Sequence, residues 1–260
     1  MIEAHAHGSG LLADQVAIVT GAANGIGRAI ATALLDQGCR VAAVDIDDAG
    51  LQSLGASDAD RLAILAADAT EPASAKAAVD MASARWGSID ILVNNVGGRI
   101  GSPHLDAGEA DWHATLALCL TSHFLWSQAA APSMMAQKRG RIINIASNAG
   151  VYRSNTGTSG ISYSAAKGGV VQLTRSTAHA LGRFGITVNA IAPGSVLSSA
   201  GVQEREELGA ALYDRVLRET PLGYFAPPEE IASIAVFLAS HHAGYVTGAT
   251  ILASGGWCTS

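Results

Sequence analysis

Cysteine is scarce in this chain. Cys39, Cys119 and Cys258 lie far apart and are odd in number. They offer neither a disulfide framework nor a C-x-x-C zinc pair, which suits a reducing compartment, and a cytoplasmic location is expected. Charge is also sparse: 15% of residues are charged, the 16 basic ones are scattered, and the formal net charge is −6. That balance excludes a sequence-independent nucleic-acid footprint and a polybasic membrane anchor. No apolar run approaches the ~18 residues needed to cross a bilayer. The opening MIEAHAHGSG lacks the positive start and apolar core of a secretory signal. His5 and His7 are expected to belong to a frayed tail over residues 1–12 rather than to a metal site. Internal repeats, low-complexity stretches and linkers are absent as well.

What remains is 260 residues, of which 49% are apolar, enough for one large core and well outside the disordered range. Short apolar runs alternate with helical patterns. Candidate strands are Val16–Thr20, Arg40–Asp45, Leu62–Ala66, Ile89–Asn94, Arg141–Ser147, Ile186–Ala192 and Ala249–Ala253. Most lack polar alternation, as expected of strands covered on both faces. Candidate helices are Gly25–Gln37, Pro72–Arg85, Glu109–Gln137, Ser162–Leu181 and Pro227–Ser240. This order predicts an α/β fold, a doubly wound parallel sheet of about seven strands flanked by helices, in a single domain over 13–260.

The first candidate strand runs into Thr20-Gly21-Ala22-Ala23-Asn24-Gly25-Ile26-Gly27 and then a helix. Glycines there let the backbone turn sharply and approach a ligand, and the helix N-terminus offers free N–H groups to a diphosphate. Asp45 ends the second strand, where a carboxylate accepts bonds from adenosine ribose hydroxyls and repels a 2′-phosphate. Asn24 and Ile46 stand where basic residues would welcome that phosphate. NAD is therefore the expected cofactor, against the alternative that Asp45 caps a turn with Asp47 and Asp48. Asp68, followed by Ala69, either touches the adenine edge or caps the next helix.

Tyr163 and Lys167 stand at i and i+4, on one helix face. An ammonium beside a phenol lowers the phenol pKa from its usual ~10. Lys167 is one of three lysines, with Lys76 and Lys138. The glycine turn, Asn94-Asn95-Val96-Gly97, Ser147, the Tyr163/Lys167 pair and Pro193-Gly194 occur in this order. Together, over residues 14 to 256, they resemble the short-chain dehydrogenase/reductase family.

The resemblance implies a Rossmann-type domain, a nicotinamide cofactor and a homo-oligomer, for which a tetramer is expected. It implies catalytic roles for Ser147, Tyr163 and Lys167. Ser147 would bond the substrate oxygen, Tyr163 would exchange the proton, and Lys167 would hold the nicotinamide ribose and depress the tyrosine pKa. Gly21, Asn24, Gly25, Ile26, Gly27, Asp45, Asp68, Ala69, Asn94, Pro193, Gly194 and Val196 would join them in binding the cofactor. Thr187–Gly194, with Ser198 beyond, would flank the carboxamide. No metal is expected.

Two departures stand out. Cys119 occupies the position of the family's mid-helix asparagine, which supports a water linking the lysine to solvent. The stretch Arg153-Ser-Asn-Thr-Gly-Thr-Ser-Gly160 lengthens the spacing from Ser147 to Tyr163. Gly98, Arg153 and Asn155 are the candidate substrate contacts, and residues 196–224 the candidate lid. The expected substrate is a secondary alcohol or its ketone, with cyclic alcohols and diols among the candidates. Asn94–Gly98 resembles the same stretch of bacterial cis-diol dehydrogenases, while much of the rest resembles 3-oxoacyl thioester reductases. A non-catalytic NAD(H) sensor is the alternative from another class. A methyltransferase would also place its cofactor at a strand end, but leaves Ser147, Tyr163 and Lys167 unexplained.

Overall fold

A computed structural model describes residues 10–55, 60–152, 160–197 and 213–257. The elements run β1 (Val16–Thr20), α1 (Gly25–Asp36), β2 (Arg40–Asp45), α2 (Asp48–Gln52), β3 (Leu62–Ala66), α3 (Pro72–Trp86) and β4 (Ile91–Asn94). They continue with α4 (Glu109–Leu116), a π-helical segment (Ala117–Thr121), α5 (Ser122–Gln137), β5 (Gly140–Ile145), α6 (Ile161–Leu181) and β6 (Ile186–Pro193). Residues 213–219 are helical (α7); α8 (Pro228–Ala239) and β7 (Thr250–Ala253) complete the order.

All seven strands pair in parallel, in the order β3-β2-β1-β4-β5-β6-β7. The order reverses between β1 and β4, and ligands bind an open sheet at such a point, beyond the carboxyl ends of its strands. The lack of polar alternation has its reason in the two cores. Ala17 and Val19 of β1 face one apolar cluster with Ile30, Leu34, Ile231 and Leu238. Val16 and Ile18 face the other, with Ala78, Trp126 and Met134. Helices cover both faces, so neither needs polar residues.

Several boundaries shift. Ile89 and Asp90 precede β4, and Ala146 and Ser147 follow β5. Asp90 accepts from the Val16 N–H and from Arg139, a staple rather than a strand residue. The expected tail reaches too far inward. Leu12 is fully buried, and its N–H donates to the Gln37 carbonyl at the end of α1. Residues 1–9 of that tail lie outside the described residues. The short α2, capped by Asp47 accepting from the Gly50 N–H, carries too little periodicity to be read from sequence. The expected helix over 109–137 is interrupted at 117–121, around Cys119.

Candidate active site

The carboxyl ends of β1, β2, β4, β5 and β6 bring the expected residues to one edge of the sheet. At β1 the glycine turn has no room for side chains. A Cβ on Gly27 would lie 1.9 Å from the Gly21 carbonyl oxygen, and Gly21 itself has φ +66°. Asn95 braces this turn, its amide donating to the Thr20 and Gly21 carbonyls at 3.1 Å each. Thr20 Oγ1 in turn accepts from the Asn95 N–H. Asn24 precedes α1 without a side-chain capping bond, and no acidic residue stands in the first turn. The α1 N–H groups therefore face outward, free for an anion. This cradle fits the diphosphate of a dinucleotide.

Asp45 ends β2 beside the turn. One carboxylate oxygen accepts from the Ala23 N–H and the other from the Asp47 N–H, both at 3.0 Å. Each oxygen keeps a further lone pair for ribose hydroxyls. Arg28 is a cation that the motif reading overlooked. Its guanidinium donates to the Ala23, Gly50 and Ser53 carbonyls and to Ser53 Oγ. Asp68 does not cap α3, which begins after Glu71; it accepts from the Thr70 N–H and hydroxyl in a local turn. Ala69 is buried and its carbonyl takes the Trp126 indole N–H.

Two expected cofactor contacts fall elsewhere. The Asn94 side chain does not line the cleft: it is buried, and its amide donates to the His123 carbonyl, Ser127 Oγ and Asn144 Oδ1. It ties β4 to α5 and β5, because an inward-facing amide on a central strand has to find partners there. Thr187 opens β6 at its amino end, a strand's length of roughly 20 Å from Pro193. Pro193 and Gly194 reach the carboxyl edge, where the Gly194 N–H donates to the Ala253 carbonyl. Val196 bridges to Ala226.

Ser147 follows β5 and opens a short 3-10 turn, with its Oγ accepting from the Ala149 N–H at 3.2 Å. That turn lies against α6: a Cβ on Gly150 would sit 2.4 Å from the Lys167 carbonyl carbon. Tyr163, half-buried, is in the first turn of α6, and Lys167 one turn on is 2% exposed. Lys167 Nζ is 5.9 Å from the centre of the Tyr163 ring and donates to the Ile145 carbonyl at 2.7 Å. Burial lowers the Lys167 pKa to about 8, with Cys119 acting weakly the other way.

Cys119 is fully buried on the π-helical segment, within reach of the lysine. Its thiol donates to the Gly98 carbonyl at 3.1 Å, and its sulfur meets the Gly98 N–H at 3.3 Å. The thiol thus holds the Gly97–Gly98 stretch against the helix, and Gly98 carries a fixed backbone at the cleft. Arg153, Asn155 and Ser198 lie outside the described residues, as does the lid over 198–212. Of the rest of that lid, Tyr213 packs edge-on against Phe225 with ring centres 4.5 Å apart.

A family model described as enoyl-(acyl carrier protein) reductase matches residues 21–258. The chain belongs to the short-chain dehydrogenase/reductase family. It is 39% identical over 249 residues to D-threitol dehydrogenase of Mycolicibacterium smegmatis, covering 95% of this chain and 94% of that protein. It is 38% identical over 249 residues to 2,3-dihydroxy-2,3-dihydro-p-cumate dehydrogenase of Pseudomonas putida, covering 94% and 95%. It is 36% identical over 245 residues to 3-oxoacyl-(acyl-carrier-protein) reductase of Vibrio cholerae, covering 94% and 98%. Among solved structures, levodione reductase superposes with a TM-score of 0.89 at 30% identity, covering 94% of this chain and 98% of that one. This short-chain dehydrogenase/reductase is an oxidoreductase of a family that uses a nicotinamide cofactor, NAD or NADP.

Proposed function

We propose that this protein interconverts a secondary alcohol and its ketone with NAD(H), using Tyr163 as the acid–base. The observation that carries the reading is the packing of the Ser147 turn and the Tyr163/Lys167 pair on one edge beside the glycine cradle. Ser147 Oγ holds the substrate oxygen. Tyr163 takes the alcohol proton in oxidation and returns it in reduction. Lys167 holds the ribose and favours the phenolate by its charge. Gly21, Asn24, Gly25, Ile26 and Gly27 hold the diphosphate, and Asp45 the adenosine ribose. Pro193, Gly194 and Val196 flank the nicotinamide, with Asp68 and Ala69 toward the adenine. The bound nicotinamide supplies the hydride acceptor or donor.

The relatives named above act on a polyol, a dihydrodiol and an acyl thioester. Gly98, backed by Cys119, with Arg153 and Asn155, is our candidate substrate wall, and residues 196–224 our candidate lid. The relatives that act on a polyol and a dihydrodiol support a hydroxylated substrate, with cyclic alcohols and diols first to be tried. A screen of alcohols and ketones with both nicotinamides, following absorbance of the reduced cofactor, tests the class directly; a reductase specific for acyl thioesters is the outcome that would replace it.

Cofactor choice rests on Asp45 and on Arg28 being held by four acceptors. NAD(H) should bind more tightly than NADP(H), and Asp45→Ala should narrow the gap. Equal affinities of the unmodified protein by calorimetry would overturn the assignment.

A homotetramer in the cytoplasm completes the proposal. Trp112 of α4, Phe124 of α5 and Ile161 of α6 expose 37%, 47% and 46% of their surfaces, apolar groups that a second copy would cover. Light scattering at working concentration should give four times 26.4 kDa; a monomer mass would remove the proposal.

A further inference from the structure

The residue after Ser147 carries an amide that the proposed chemistry leaves unused. Asn148 is 7% exposed and opens the 3-10 turn Asn148–Gly150. Its backbone is held firmly. The Asn148 carbonyl accepts from the Val151 N–H at 3.0 Å and from the Tyr152 N–H at 2.8 Å. The turn lies directly on α6, because a Cβ on Gly150 would come within 2.7 Å of the Lys167 and Gly168 backbone. A side-chain bond fixes the amide as well: Ser147 Oγ donates to Asn148 Oδ1 at 3.2 Å. A serine hydroxyl has one hydrogen, so that of Ser147 is already engaged.

This engagement bears on what the site binds well. To donate to a substrate oxygen, Ser147 has to turn its hydrogen away from Asn148. Among the described residues, Asn148 Oδ1 has no other donor. It would be left unpaired in a nearly inaccessible place, which costs free energy unless a new donor arrives. A substrate with one hydroxyl brings none, since its hydrogen goes to Tyr163. A substrate with a second hydroxyl on the neighbouring carbon does bring one. Vicinal oxygens in the gauche arrangement stand about as far apart as hydrogen-bonded oxygens, ~2.8 Å. Ser147 Oγ and Asn148 Oδ1 are 3.2 Å apart, a matching pair of anchors.

A second observation points the same way. The Asn148 amide nitrogen donates to nothing among the described residues. Unlike the Ser162 hydroxyl, it is not sealed from solvent. The small exposed part of Asn148 therefore includes this amide, beside Ser147 at the edge of the sheet where the cleft lies. Buried polar side chains find partners as a rule, and a ligand oxygen is the partner that this place admits. We propose that Asn148 is a substrate-binding residue that takes the second hydroxyl of a vicinal diol or polyol, while Ser147 holds the reacting oxygen. The inference rests on the reading of Ser147 and Tyr163 as the groups that meet the substrate oxygen.

Paired substrates test it. With NAD, butane-2,3-diol should have a kcat/KM per carbinol at least ~10-fold above that of butan-2-ol, the effect of one buried acceptor kept or lost. The preference for cis-cyclohexane-1,2-diol over cyclohexanol should be similar. Asn148→Leu, of nearly the same volume, should bring both ratios close to one. Asn148→Asp keeps the acceptor and should keep the preference. A merely structural loss slows diol and mono-ol together and leaves the ratios where they were. If the leucine variant does not fold, Asn148→Ala takes its place. Equal values for diol and mono-ol in the parent enzyme, or unchanged ratios in the leucine or alanine variant, would overturn the proposal and leave alcohol oxidation by Tyr163 standing. Failure to oxidise any of the four alcohols with either nicotinamide would take down the reading of the site itself, and the inference with it.

Discussion

Tyr163→Phe should lower turnover by at least the ~10²-fold typical of losing a general acid–base, while NAD(H) binding survives. The substitution keeps the ring and removes the hydroxyl to which we assign proton exchange with the substrate oxygen. The half-buried ring itself stays in the first turn of α6. A tyrosine of ordinary pKa, near 10, is mostly phenol at neutral pH and a poor base. Lys167 Nζ lies 5.9 Å from the ring centre, and an ammonium in that place would favour the phenolate. Oxidation, which needs phenolate, should accordingly speed up as pH rises, and reduction, which needs phenol, should not. Steady-state rates in both directions, with cofactor affinity measured by fluorescence, check each part. A phenylalanine enzyme that turns over as fast as the parent on a verified substrate would sink the scheme.

The sheet was legible because each strand is an apolar run between turn signals, and the alternation with helices leaves few topologies. The chemistry-bearing motifs were legible for a related reason: glycine without room for a Cβ, as at Gly27, has few substitutes. What escaped the reading was side-chain direction. Asn94 and Asn95 are adjacent, and alternation along a strand sends them opposite ways, one under the sheet and the other to the glycine turn. No spacing in the sequence distinguishes the two. Thr187 was misplaced because a run of strand residues gives no sign of which end faces the cleft until the neighbouring strands are in place. The break at 117–121 leaves no mark in the residue types, since Ala117-Leu118-Cys119-Leu120-Thr121 contains neither the glycine nor the proline that usually announces one.

Lys167→Met should separate what the lysine does for the reaction from what its burial does to the fold. Its ammonium, nearly inaccessible and with the Ile145 carbonyl as a partner, has a pKa of about 8 against an ordinary 10.5. Below pH 8 both folded and unfolded chains carry the charge, and the fold bears the full penalty of burying it. Between 8 and 10.5 the unfolded chain holds more protons than the folded one, so stability rises with pH. The gain is on the order of 1 kcal/mol from pH 8 to 9 and about 3 kcal/mol in all. Cys39 acts oppositely at higher pH. Burial pushes its thiol from 9.0 to about 12, so above pH 9 the unfolded chain loses a proton that the fold retains, and stability falls. Both proteins contain Cys39, so the difference between them isolates the lysine. At pH 7 the methionine variant, of similar length and without charge, should be the more stable by up to a few kcal/mol, and the two should converge toward pH 10.5. The same variant should lose cofactor affinity and rate together, because the ribose and the phenolate both lose their cation. Urea midpoints of the cofactor-free proteins at pH 7, 8 and 9 give the stability gap, and calorimetry with NAD gives the affinity. A gap that stays constant across that pH range would show that Lys167 is not held in a dry site, and the account of its effect on Tyr163 would fall with it.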